Sequence, residues 1–238
     1  MHEPVSVLWN SQEVDVITGG ASTAPWTCSG ISIDTRTLEK GDLFVALKGE
    51  NGAGEVFLEE ASKKGAVAAL VSHLSPSALP QLVAQDTLRA LEKLGVAARD
   101  RSSAKRIAVT GSVGKTSTKD MLKVALNDQG LTHGSVASYN NHWGVPLTLA
   151  RMPEKTEFGI FEVGMNHPGE IRPLTHMIKP HIAIITTVVE AHVEFFKSEE
   201  EIARAKAELF EGMEKGAFVL LNGDNAHYSL LSQLALEK

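Results

Sequence analysis

Val109-Thr110-Gly111-Ser112-Val113-Gly114-Lys115-Thr116 closes the apolar run Ile107-Ala108-Val109. A strand that turns through glycines into Lys-Thr and continues as a helix reads as a phosphate-binding loop. The glycines let backbone N–H groups face phosphate oxygens, and the helix that follows directs its positive end at them. Lys115 can reach β- and γ-phosphates, and the Thr116 hydroxyl is placed for the accompanying magnesium. Ser117 continues the nucleotide-binding set, which runs Thr110, Gly111, Ser112, Val113, Gly114, Lys115, Thr116, Ser117. The usual pattern opens on a glycine five residues before Gly114, where this chain has Val109. A Gly-rich turn between an ordinary strand and helix is the bland alternative. The complete Gly-Lys-Thr end in its strand–loop–helix setting favours nucleotide binding.

Outward from the loop, the pattern is α/β throughout. Leu88, Leu91, Leu94 and Val96 predict an amphipathic helix from Thr87 to Arg101, feeding the loop strand. Beyond the loop, helices are predicted over residues 115–128, 169–178, 198–213 and from Ala226. Strands are predicted over 158–163, 182–188 and 218–221. Near-continuous apolar strands alternating with helices imply a parallel sheet covered on both faces. Before the loop, Ser11 is placed to cap a helix through Ile17 that Gly19-Gly20 ends. Strands follow at 31–33, 43–47 and 66–71, with a helix over 57–64. Ser75-Pro76-Ser77-Ala78-Leu79-Pro80 is the best candidate domain boundary. The expectation is a small N-terminal α/β domain, 1–80, followed by a P-loop ATPase-like parallel-sheet domain, 81–238.

The 238 residues are 43% hydrophobic, enough for a substantial core, and the net charge of −6 leaves no footprint for nucleic acid. Cys28 is the only cysteine, which rules out an intrachain disulfide and a metal–thiolate cluster. Met1-His2-Glu3-Pro4 has no signal-peptide character, and no run approaches the ~20 apolar residues that span a bilayer. A monomeric cytoplasmic protein, not inserted in a membrane, is expected.

Four further places carry possible chemistry. Glu162 ends an apolar strand, where an acid can hold magnesium or can simply be solvated; the neighbouring loop favours the metal. His192 follows the next strand at the same sheet edge, and its spacing leaves a ligand and a surface histidine both open. Lys206 falls within the helical stripe of Ile202, Leu209, Phe210 and Met213. From spacing alone the favoured reading is a packed stem whose ammonium reaches water; the alternative is a desolvated amine lining the cleft. Asn140-Asn141 and Asp34-Thr35-Arg36 can bind substrate or can be ordinary turns.

Together these segments resemble the Mur ligases, which build the peptide stem of peptidoglycan. Ser32-Ile33-Asp34-Thr35-Arg36 with Gly41-Asp42-Leu43-Phe44-Val45-Ala46-Leu47-Lys48-Gly49 is similar to the family's uridine-nucleotide-binding domain. The Mur phosphate loop also lacks the first glycine. Asn140-Asn141 with Gly144-Val145-Pro146-Leu147-Thr148-Leu149, and Glu162-Val163-Gly164-Met165-Asn166 with Gly169-Glu170-Ile171, resemble the branch that adds D-alanyl-D-alanine. Ala191-His192 and Ala205-Lys206-Ala207-Glu208 complete the likeness. The resemblance implies ATP and magnesium as cofactors, and UDP-N-acetylmuramoyl-tripeptide and D-alanyl-D-alanine as substrates. It implies that Asp34, Thr35 and Arg36 bind the uridine substrate and that Asn141 joins the nucleotide set. Thr116 would hold one magnesium, and Glu162, His192 and a carbamylated Lys206 a second. Lys115, His192 and Lys206 would serve catalysis, which reverses the reading of Lys206 from spacing.

Two departures stand out. Asn51-Gly52-Ala53-Gly54-Glu55-Val56-Phe57 lacks the Asp-Gly-His-Asp-like polar run expected there. Mur ligases also have three domains, so the resemblance implies an incomplete ATP-binding domain, an absent C-terminal domain and no ligase activity from this chain alone. A nucleotide-binding module without catalysis, or a sister ligase adding one amino acid, are the other readings. Folate-adding relatives lack an Asp34-type first domain.

Overall fold

The apolar runs condense into two parallel sheets, in two compact units that divide between Ala97 and Ala98. A computed structural model describes residues 7–49, 52–136, 138–190 and 195–238.

In the first unit, β1 (Trp9–Asn10) leads into α1 (Ser11–Thr18), followed by β2 (Ala21–Ser22), β3 (Thr27–Cys28), β4 (Gly30–Ser32) and β5 (Asp42–Val45). A 3-10 turn at Gly54–Phe57 enters α2 (Leu58–Lys63), and β6 (Ala68–Val71), β7 (Gln81–Val83) and α3 (Thr87–Arg101) follow. The sheet order is β2-β7-β6-β5-β4, parallel except for the β2 edge. Every residue of β5 and β6 is buried, as expected for strands covered on both faces.

Two expectations change here. Asn10, not Ser11, caps α1: its side-chain oxygen accepts from Glu13 N at 3.0 Å, while Ser11 is already helical. The 75–80 stretch is an internal loop, because β7 pairs in parallel with β6 inside the first sheet. Gln81 pins that loop, accepting from Ser75 N at 2.9 Å and donating to Ser75 O at 2.7 Å. A Pro/Ser-rich break has the same composition whether it links domains or turns within one. The division instead falls within α3.

In the second unit, β8 (Lys105–Thr110) is followed by α4 (Lys115–Asn127), β9 (Thr132–Gly134), α5 (Gly144–Ala150), β10 (Phe158–Glu162) and α6 (Ile171–Ile178). Then come β11 (Ile182–Ile185), α7 (Glu199–Ala207), a 3-10 turn (Glu208–Gly212), β12 (Phe218–Leu221) and α8 (Tyr228–Leu236). All pairings are parallel in the order β12-β11-β8-β10-β9, which bears out the parallel-sheet reading. Side chains alternate across the sheet. Ile107, Val109, Ile160 and Ile184 meet Leu122 and Leu126 of α4. Ala108, Phe161, Ala183 and Ile185 enter the larger core with residues of α6, α7 and α8. Each fully buried Ile, Leu or Phe there contributes about 1.5–3 kcal/mol.

Strand β8 lies between β10 and β11, so the chain passes to both sides of it. That makes the carboxyl end of β8 a topological switch point, where open α/β sheets receive ligands. Among the described residues no helix is long and apolar enough to cross a membrane.

Candidate active site

Gly111 and Gly114 make the loop possible. Gly111 has φ +151°, and a Cβ there would lie 1.9 Å from Thr186 Oγ1. Gly114 sits at φ +84° as the N-cap of α4. Among the described residues no side chain caps the first-turn N–H groups of α4, the arrangement that receives an anion.

The loop rests on a wall formed by the chain after β11. Ser112 N donates to Thr187 O at 2.9 Å, and Ser112 Oγ donates to Val189 O at 2.9 Å. Val189 N donates back to Ser112 Oγ at 3.2 Å, and Thr186 Oγ1 donates to Val113 O at 2.6 Å. The Ser112 hydroxyl is thus spent on the wall. Thr110 Oγ1 is buried at the end of β8 without a hydrogen-bond partner among the described residues.

Lys115, Thr116 and Glu162 come together, and Lys206 is buried within reach of the Lys115 charge. Lys115 folds back over the loop, with Nζ 2.8 Å from Gly111 O and 3.4 Å from Ser112 O. Burial lowers its pKa, and the negative charge of Glu162 opposes that shift. Glu162 is only 1% exposed and its two oxygens have separate donors. Thr116 Oγ1 donates to Oε2 at 2.9 Å, and Asn140 Nδ2 donates to Oε1 at 2.8 Å. Ser135 Oγ accepts from Glu162 N at 3.2 Å, which ties the strand end to the segment after β9.

The Lys206 amine does not reach water: the residue is 3% exposed, on the inner face of α7. Desolvation, with the like charge of Lys115 second, brings its pKa down to about 7. The apolar stripe located this residue correctly, but the snorkelling favoured from spacing is wrong. Ile202, Ala203, Ala205 and Ala207 of α7 are buried along with it.

Hard oxygen donors suit magnesium, which retains waters and takes few protein ligands. Thr116 and Glu162 supply two such donors side by side, so the residues present fit that ion. Among the described residues no cluster of three His, Cys, Asp or Glu side chains gathers to form a self-sufficient protein cage. Phosphate oxygens and water would have to complete the coordination.

The remaining expected residues divide. His192 lies outside the described residues. Asn141 is turned to structure: its Oδ1 accepts from Trp143 N at 3.1 Å and Gly144 N at 2.9 Å, at the start of α5. Its neighbour Asn140, which the expected nucleotide set left out in favour of Asn141, is the asparagine that touches Glu162. Ser117 is exposed on the first turn of α4. In the first unit, Arg36 grips Asp34 with Nε 3.0 Å from both carboxylate oxygens and an Nη 2.6 Å from Oδ2. The Arg36 hydrogen bonds hold the Asp34 carboxyl below its usual range. Thr35 is buried, and its carbonyl accepts from Lys64 Nζ at 2.6 Å.

A switch-point phosphate loop with a buried carboxylate and a buried lysine defines an α/β protein of the phosphate-loop class. Residues 109–238 match the Mur ligase middle domain and residues 27–129 the catalytic domain of the Mur ligase family. The chain belongs to the Mur ligase family. It is 39% identical over 236 residues to the UDP-N-acetylmuramoyl-tripeptide--D-alanyl-D-alanine ligase of Rickettsia prowazekii, covering 97% of this chain and 52% of that protein. The ligase of the same name from Escherichia coli is 38% identical over 215 residues, with coverage of 90% and 48%. Among solved structures, MurF from Acinetobacter baumannii superposes with a TM-score of 0.83 at 30% identity, over 96% of this chain and 52% of that one. MurF from Thermotoga maritima in complex with ADP gives 0.73 at 26% identity, over 87% and 48%. The chain therefore spans about half the length of the relatives it matches.

Proposed function

We propose that this chain carries the nucleotide site of an ATP-dependent ligase that adds D-alanyl-D-alanine to UDP-N-acetylmuramoyl-tripeptide. The observation that carries the reading is the convergence of Lys115, Thr116 and Glu162 at the carboxyl end of β8, with Lys206 buried within reach of the Lys115 charge. The names of the relatives supply the substrates, and the ADP complex of the Thermotoga maritima protein supports the nucleotide. Asp34, Thr35 and Arg36 form the proposed uridine-nucleotide contact of the first unit; Arg36 would exchange part of its grip on Asp34 for the ligand.

The tripeptide's terminal carboxylate attacks the γ-phosphorus of ATP, and the bond to ADP breaks, giving an acyl phosphate. The amine of D-alanyl-D-alanine then attacks the acyl carbon, loses a proton and displaces phosphate. The electrostatic difficulty is to bring two anions together. Lys115 meets it by leaving Gly111 O and Ser112 O for the β- and γ-phosphates, while the α4 N–H groups hold the transferring group in place. Magnesium at Thr116 and Glu162 would neutralise phosphate charge. Asn140 keeps Glu162 aimed at Thr116.

Carbamylation of Lys206 would complete the site: a neutral amine forms an N–C bond to carbon dioxide and releases one proton, replacing an uncharged group by an anion. Only the neutral amine reacts, so labelling with 13C-bicarbonate is expected to rise as pH passes through about 7 and to be lost below it. A midpoint in the ordinary lysine range, measured by carbon NMR, would refute the buried-amine account.

The substrate assignment is tested with residues 1–238 substituted for the matching half of the Escherichia coli ligase. The hybrid is expected to form the pentapeptide from D-alanyl-D-alanine and nothing from single amino acids. A folded, ATP-binding hybrid that prefers a single amino acid, or joins neither, would overturn it.

A further inference from the structure

Glu208 is a buried carboxylate two positions after Lys206, and the chemistry above makes no use of it. It opens the 3-10 turn into which α7 passes. Residues two apart on a helix face different directions. Lys206 is buried on the inner face of α7, while Glu208 is turned onto the start of α6.

Its contacts there are specific. One oxygen accepts from Gly169 N at 2.7 Å and the other from Arg172 N at 3.1 Å. The N-cap residue of α6, Glu170, gives that helix no side-chain cap; it accepts from Asn166 N at 2.6 Å instead. The start of α6 is thus capped from another element, by the residue that ends Lys206's helix. A carboxylate suits that position because it meets unsatisfied N–H groups and the positive end of a helix. The α6 start also closes the loop that begins at Glu162, and Gly164 N in that loop donates to Asn140 O at 2.8 Å.

Next to this tie the two elements are pressed together. Thr175 Oγ1 donates to Leu209 O at 2.7 Å, and a Cβ on Gly212 would lie 2.3 Å from the Thr175 carbonyl carbon. Thr175 and Gly212 hold the 3-10 turn against α6, and Glu208 adds a second tie at the end of α7.

We propose that Glu208 is the positioning residue that holds the buried Lys206 amine in place, by capping α6 from the end of Lys206's own helix. The proposal rests on the reading of Lys206 as the amine of the site.

The test measures Lys206 in the 238-residue chain by competitive acetylation against pH, with mass spectrometry as readout. Carbon NMR in 13C-bicarbonate is run in parallel. In Glu208→Ala the reactivity midpoint is expected to move up by a unit or more, and any carbamate signal to fall at least fivefold. Glu208→Gln keeps one acceptor oxygen for the two N–H donors and is expected to fall between, which carries the test if the alanine variant does not fold. Retained ATP affinity shows that the second unit is intact. A folded variant with a wild-type midpoint overturns the role of Glu208, whatever the carbamate signal does. A wild-type chain without carbamate, whose Lys206 midpoint still moves in the variants, supports Glu208 and removes only the carbamate from the proposed function.

Discussion

Lys115→Ala is expected to weaken ATP–magnesium binding by about 100-fold, roughly 3 kcal/mol, the upper range for a hydrogen bond to a charged group. The nitrogen lies over the loop, 2.8 Å from Gly111 O, so a small swing of its stem delivers it to a phosphate. Alanine also removes the like charge that helps depress the Lys206 pKa. The variant should therefore show a second effect, a rise in the Lys206 titration midpoint. Both are measurable on one sample, by calorimetric titration and by side-chain NMR. Unchanged nucleotide affinity would remove Lys115 from the phosphate site.

Glu162→Gln is the second large expectation. The carboxylate now accepts from Thr116 on one oxygen and Asn140 on the other. An amide has only one acceptor oxygen, so its NH2 faces a donor unless Asn140 flips or the Thr116 hydroxyl rotates. Those adjustments are local, and the variant should fold with a stability loss of about 1–3 kcal/mol. The charge, however, cannot be recovered. Magnesium should cease to tighten nucleotide binding, with a loss of about tenfold or more in the metal-dependent part. A variant whose nucleotide affinity still responds to magnesium as the wild type does would place the ion elsewhere.

Much of this was legible in the residues. The helix Thr87–Arg101 and the strand Phe218–Leu221 have the predicted bounds, because apolar side chains recur there at the period of a single element. The phosphate loop was legible for a different reason: glycines at Gly111 and Gly114 are where the chain must adopt positive φ. Short elements escaped. Strand β9, Thr132–Gly134, is three residues long and has no pattern of its own; its pairing with β10 makes it a strand. The helix predicted over 198–213 changes to a 3-10 turn at Glu208, where packing on α6 overrides the local preference for continuing.

Within the site, what sequence could not supply was direction. Asn140 and Asn141 are the same residue type side by side, and only the fold turns one to Glu162 and the other to α5. Ser112 belongs to the loop by spacing, yet its hydroxyl faces Val189, far along the chain. The burial of Lys206 is a tertiary fact of the same kind. Its stripe marks the inner face of α7, but whether the amine escapes to water depends on neighbours from other elements. Glu208 gave no local signal, since its partners Gly169 and Arg172 lie in a distant segment.

The central claim is that the carboxyl end of β8 is an ATP–magnesium site built from Lys115, Thr116 and Glu162. Its most direct test is calorimetric titration of the 238-residue chain with ATP, with and without magnesium. The account predicts one saturable site per chain, tighter when magnesium is present and lost in Lys115→Ala. No saturable binding, or binding that neither magnesium nor Lys115→Ala changes, would contradict it.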